Sequence, residues 1–244
     1  MAASTATTPA TKGGGLALLV GVILLVFASL VFPGGVLLDP VDQTDFPVAL
    51  EAMSDNASLA HLASMMSIVG MFLYAYAALT WLRLPQQGGL GGSLLRLGVF
   101  ASLFGWALYA IAMGMRHFSI HLMQRSMQSG ADEAYFEGLA LSVYAPMAGI
   151  VIALVAVYPL ASILVGAGLA SRFGSMSIYK LASYGLVVMG VLAGINFLVL
   201  QHVPGIDPVV LLRNDNGMLA FGSLCFIIIG LGMYRGQGEL TSED

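Results

Sequence analysis

The sequence has very little charge. Only 9% of its 244 residues are charged, whereas soluble domains have about 25%. Hydrophobic residues make up 58% of the chain, and the mean hydropathy is +0.89. A water-soluble fold could not bury so much apolar surface, so the composition excludes an ordinary soluble domain and indicates a membrane protein.

Cysteine is almost absent as well. The one cysteine, Cys225, lies inside an apolar run, which excludes a disulfide framework and any Cys-x-x-Cys metal or haem-attachment motif. The nine basic residues form no cluster, and nucleic-acid binding is therefore not expected. The apolar runs also lack the alternation typical of outer-membrane strands.

Six apolar runs are long enough to cross a membrane as helices. They cover residues 16–32, 59–82, 95–115, 139–164, 181–200 and 218–234, and the third is expected to continue as helix to about residue 121 or 123. A short interfacial helix is predicted at 46–53. The first run is longer than the apolar region of a signal peptide and no convincing cleavage site follows it, so we interpret it as a span.

The fold class is therefore all-α: a polytopic membrane helical bundle with six transmembrane helices. The predicted organisation is a flexible N-terminal tail (1–15), a six-helix transmembrane domain (16–235) and a C-terminal tail (236–244).

Basic residues are unevenly divided between the two sides of this topology. Six of the nine share the side of the termini, and ten of the thirteen acids lie on the other side. The six are Lys12, Arg83, Arg96, Arg172, Lys180 and Arg235. Loops rich in lysine and arginine remain on the cytoplasmic side of a membrane. Both termini are therefore predicted to be cytoplasmic, in a multi-pass protein of the cytoplasmic (inner) membrane.

All four histidines fall at the predicted extracytoplasmic ends of spans. His61 begins the second span, His117 and His121 end the third, and His202 ends the fifth. His117 and His121 are four residues apart and share one helix face. Neutral imidazole is a good ligand for haem iron, copper and zinc, so the pattern predicts a cofactor or metal site at this end of the bundle.

Haem b is one candidate cofactor, with bis-His or His/Met ligation. His117 and His121 share a helix, so the second axial ligand would come from another helix. Met65 and Met113 each share a helix face with a histidine, and Arg116 is a candidate for contact with haem propionates. Gly114, with Ala107 and Ala110, would leave room for a flat group. This hypothesis makes the chain a membrane electron-transfer subunit with its haem near the extracytoplasmic face.

Two other interpretations of the histidine pattern remain open. In one, the same four histidines bind copper, non-haem iron or zinc, helped by nearby acids such as Glu51, Asp55, Glu133 and Glu137. In the other, the chain is a structural subunit of a larger membrane complex with no cofactor of its own. Expected partners are the lipid bilayer, other membrane subunits or a second copy of the chain, and an extracytoplasmic redox protein that docks on the acidic loops.

Overall fold

The computed structural model describes residues 9–35, 37–84, 89–206 and 208–241. Over these residues the chain is all-α, as predicted, with seven α-helices and one short 3-10 helix. The α-helices are α1 (Pro9–Leu30), α2 (Phe46–Asp55), α3 (Ala57–Trp81), α4 (Leu90–Ser126), α5 (Glu133–Ala170), α6 (Ile178–His202) and α7 (Pro208–Arg235). Every one except α2 is long and apolar enough to cross a membrane, which confirms the six predicted spans.

Two of the helices are much longer than a crossing requires. α4 has 37 residues and α5 has 38, so each is about 55 Å long, against a hydrocarbon core of about 30 Å. The helix therefore continues past the apolar run into the polar sequence beyond it. In α4 the continuation covers residues 116–126, which contain two of the four histidines.

The N-terminal part differs from the prediction. The sequence predicted a flexible tail over 1–15, but α1 already begins at Pro9; residues 1–8 lie outside the described residues. A proline suits the first turn of a helix. Glycine has a low helix propensity. Here close packing stabilises the helical conformation, since a Cβ on Gly15 would lie 2.5 Å from the backbone nitrogen of Tyr234.

The described residues form two compact units. Unit 1 contains the described parts of 1–22, 72–105 and 155–244. Its helices approach closely at glycines: a Cβ on Gly98 would lie 2.6 Å from the backbone nitrogen of Val165, and a Cβ on Gly168 would lie 2.7 Å from Leu95 Cα. Small residues at such contacts let transmembrane backbones come together. Residues 236–241 of the predicted C-terminal tail belong to this unit, where Leu240, in the 3-10 helix Gly238–Leu240, is fully buried. Residues 242–244 lie outside the described residues.

Unit 2 contains residues 23–71 and 106–154. It includes α2, the predicted short helix, whose side-chain cap is Asp45, accepting a hydrogen bond from the Val48 backbone N–H. One face of α2 is buried through Leu50 and Met53 in an apolar core. The chain before α2 is held by Tyr144, whose hydroxyl donates to Gln43 Oε1 at 3.3 Å.

The contact at Gly168 generates a stability prediction. Gly168→Ala should lower the free energy of unfolding by about 1–3 kcal/mol, because the new methyl group meets the Leu95 backbone and must push α4 and α5 apart. Thermal unfolding in detergent measures the change. Gly149→Ala on the same helix is the control, since its Cβ meets no atom of the described residues within 4 Å; equal effects of the two variants would contradict the close contact.

The orientation of the termini stays a prediction that cysteine labelling can test. Ser129 and Ser175 are exposed in the α4–α5 and α5–α6 loops, and the native Cys225 is buried. With cytoplasmic termini, Ser129→Cys should react with a membrane-impermeant maleimide in intact cells, and Ser175→Cys should react only after permeabilisation. The reverse pattern would place both termini outside.

Candidate metal centre

Two helices of unit 2 bring three histidines together. His61 lies in the second turn of α3, and His117 and His121 lie one turn apart in the polar end of α4. The start of α3 is fixed by Asn56, whose carbonyl oxygen accepts hydrogen bonds from the backbone N–H groups of Leu59 and Ala60. The histidine pair is fixed by the i, i+4 geometry of α4.

The three imidazoles form a compact group. His61 Nδ1 lies 2.9 Å from His117 Nδ1, and His117 Nε2 lies 3.2 Å from His121 Nε2. One ring nitrogen from each histidine lies within 4.8 Å of the other two. The ring of His61 also stacks at a tilt on that of His121, with centroids 4.3 Å apart. The predicted convergence of imidazoles is therefore present for three of the four histidines.

A fourth side chain, Gln124, completes the group. Its Oε1 lies 3.1 Å from His61 Nε2 and 3.2 Å from His121 Nδ1, so it contacts a histidine on each helix. Gln124 was not among the predicted ligands or their partners, which were histidines, methionines and charged side chains. A signal was available, since Gln124 follows His121 by three residues and His117 by seven and so shares their helix face.

The group is partly accessible. His61, His117 and Gln124 are half-buried and His121 is exposed. Gly114, one turn before His117, is exposed too, and a Cβ there would meet no atom of the described residues within 4 Å. The described residues therefore leave part of the imidazole surface uncovered.

A buried arginine lies beside the group. Arg116, only 9% exposed, donates from Nε to Ser64 Oγ at 3.0 Å, and its guanidinium carbon lies 4.0 Å from the centre of the Phe32 ring. This cation–π contact and this hydrogen bond tie α4 to α3 and to the segment after α1. The predicted role of Arg116 toward haem propionates stays a prediction.

Three further residues were predicted as ligands, and none of them is one of the three converging histidines. His202 is the exposed last residue of α6 and belongs to unit 1. On the histidine-bearing helices, Met65 is exposed, whereas Met113 is buried in the apolar core of unit 2. Among the described residues, the close group of ligand atoms consists of the three histidines. The nearby acids suggested by the sequence, Glu51, Asp55, Glu133 and Glu137, are therefore not members of it.

Comparisons with known proteins give no guide to the site. No protein family, no curated protein and no solved structure matches this chain. A functional conclusion therefore depends on the chemistry of the described side chains.

The contacts of Arg116 lead to a stability prediction. Arg116→Lys should lower the free energy of unfolding by about 1–2 kcal/mol, because an ammonium group loses the planar stacking on Phe32 and the Nε donor to Ser64. Chemical unfolding in detergent measures the change. Arg125→Lys, exposed and 5.8 Å from the Phe136 ring centre, is the control and should change stability by less than about 0.5 kcal/mol. A loss at Arg116 no larger than this would rule out a structural role for its guanidinium.

Proposed function

We propose that this chain is a polytopic membrane protein that binds one transition-metal ion through His61, His117 and His121. The observation that carries the proposal is the convergence of three ring nitrogens, all within 4.8 Å of one another, from two separate helices. Unrelated interfacial histidines would have no reason to meet, and three imidazoles are a common ligand set for metals.

Two nitrogen–nitrogen distances in the group are close to those between the ligands of one metal ion. Metal–nitrogen bonds of about 2.0–2.1 Å in tetrahedral geometry put the ligand nitrogens about 3.3 Å apart. The two shortest separations in the group are 2.9 and 3.2 Å, between His61 and His117 and between His117 and His121. The two contacts use different nitrogens of His117, Nδ1 and Nε2, so the His117 ring would have to turn to present one nitrogen to an ion shared with both partners.

The donor set favours particular metals. Three imidazole nitrogens suit zinc, copper or non-haem iron, and neither a thiolate nor a carboxylate belongs to the group. Three protein ligands leave a fourth position for water or a substrate, as in catalytic zinc sites. The described residues leave the rings partly uncovered, which would leave room for such a ligand.

A haem b is less well supported by this geometry. Two axial imidazoles lie on opposite sides of the iron with their ligand nitrogens about 4 Å apart and the porphyrin between them. Here the His61 and His117 rings touch, with centroids 4.2 Å apart, and they would have to separate to admit the macrocycle. The open face at Gly114 is the feature that still favours a flat group. Electron transfer and a redox partner remain predictions from the sequence.

Metal binding to the purified protein tests the proposal. After chelator treatment in detergent, titration with Zn²⁺ or Cu²⁺ should give about one ion per chain by elemental analysis. His61→Ala, His117→Ala and His121→Ala should each weaken binding at least about 100-fold, since loss of a ligand costs more than loss of an outer partner. His202→Ala is the matched control and should leave the affinity unchanged.

Two other results would overturn the proposal. A sharp absorption band of reduced haem, present at about one haem per chain, would support the haem b hypothesis instead. No metal and no haem, with histidine variants indistinguishable from the native protein, would leave the structural-subunit hypothesis.

A further inference from the structure

We infer that Gln124 is a positioning residue, whose amide oxygen accepts hydrogen bonds from His61 Nε2–H and His121 Nδ1–H. These two bonds assign the ligand atoms, which become Nδ1 of His61 and Nε2 of His121. The metal-binding part of this inference rests on the proposed function. The assignment of the ring protons stands on the hydrogen bonds alone.

The hydrogen-bonding chemistry of Gln124, His61 and His121 determines which ring nitrogens carry protons. An amide oxygen has two lone pairs and can accept two hydrogen bonds, and a neutral imidazole has one N–H and one lone pair. Gln124 Oε1 lies 3.1 Å from one ring nitrogen of His61 and 3.2 Å from one of His121. Both nitrogens must carry their proton to donate, so the lone pairs lie on His61 Nδ1 and His121 Nε2.

Both of these lone pairs face His117. His61 Nδ1 lies 2.9 Å from His117 Nδ1, and His121 Nε2 lies 3.2 Å from His117 Nε2. Three neutral rings carry three N–H groups, and Gln124 accepts two of them. One proton is left for the two contacts with His117, so in one contact two lone pairs face each other. A metal cation between these two lone pairs replaces this repulsion with two ligand bonds, and the third histidine would become a ligand when the His117 ring turns to bring one nitrogen toward both partners.

The surrounding structure keeps Gln124 in place. It lies on the same helix as His117 and His121, so its backbone position relative to them is set by helix geometry, and its amide oxygen is held by the two histidine contacts. The hydrogen bond from Arg116 to Ser64 holds the neighbouring turns of α3 and α4 together. Outer partners that accept the second N–H of a metal-bound imidazole orient the ring, and their loss typically weakens metal binding about 10–100-fold.

Two substitutions at this position test the inference. Gln124→Leu removes the acceptor and should weaken Zn²⁺ binding about 10–100-fold. Gln124→Glu keeps an acceptor oxygen at the same place and should bind at least as tightly as the native protein. Gln128→Leu, an exposed glutamine in the loop after α4, is the matched control and should have no effect.

Nitrogen NMR of the metal-free protein adds a measurement that a merely structural role would not move. With ¹⁵N-labelled histidine, His61 should carry its proton on Nε2 and His121 on Nδ1, and Gln124→Leu should release both to a mixture of tautomers. Only four histidines are present, so single His→Ala variants assign the signals.

The outcomes separate this inference from the proposed function. If Gln124→Glu binds as weakly as Gln124→Leu, or if Gln124→Leu changes neither binding nor tautomers, the role of Gln124 is overturned while the histidine site stands. If the native protein binds no metal but shows the expected tautomers, the proposed function and the metal-positioning role fail together, and only the hydrogen-bond assignment survives.

Discussion

The start of α3 lies directly against the polar end of α4, and the site in unit 2 depends on this contact. Near His61 on α3, the small side chains of Ala60, Ala63 and Ser64 are fully buried. Transmembrane helices associate through such close packing and through hydrogen bonds rather than through the hydrophobic effect. The bond from Arg116 to Ser64 is of this kind. Small residues near the histidines were predicted to leave room for a cofactor; near His61, Ser64 instead accepts the hydrogen bond from Arg116.

A metal site built from two helices depends on few contacts between distant segments. α4 supplies His117, His121 and Gln124, whose mutual positions follow from one regular helix. α3 supplies only His61, so a single helix–helix contact decides whether the site exists. Such a site is largely formed before a metal arrives, and little ordering of side chains would oppose binding. Its position near the end of a helix longer than a bilayer crossing is consistent with access from the aqueous side.

The helices could be predicted from the sequence, whereas some of their ends differ from the prediction. Hydropathy falls at Arg116 and His117, so the third span was predicted to end at 115 with the helix continuing to about residue 121 or 123, and α4 continues to Ser126. Hydropathy reports burial in lipid, whereas the helix is held by backbone hydrogen bonds that persist beyond the apolar region. At the other end of the chain, Gly13, Gly14 and Gly15 indicated a flexible segment, but packing within unit 1 keeps it helical.

The sequence by itself determined the class of the protein, its six crossings, and the placement of His117 and His121 on one face of one helix. These follow from composition and from helical periodicity, which are local properties. Only the tertiary structure decided that His61 and Gln124 join this pair, whereas His202 belongs to the other unit. The face that one helix turns toward another depends on packing between distant segments, and no spacing along the chain records it.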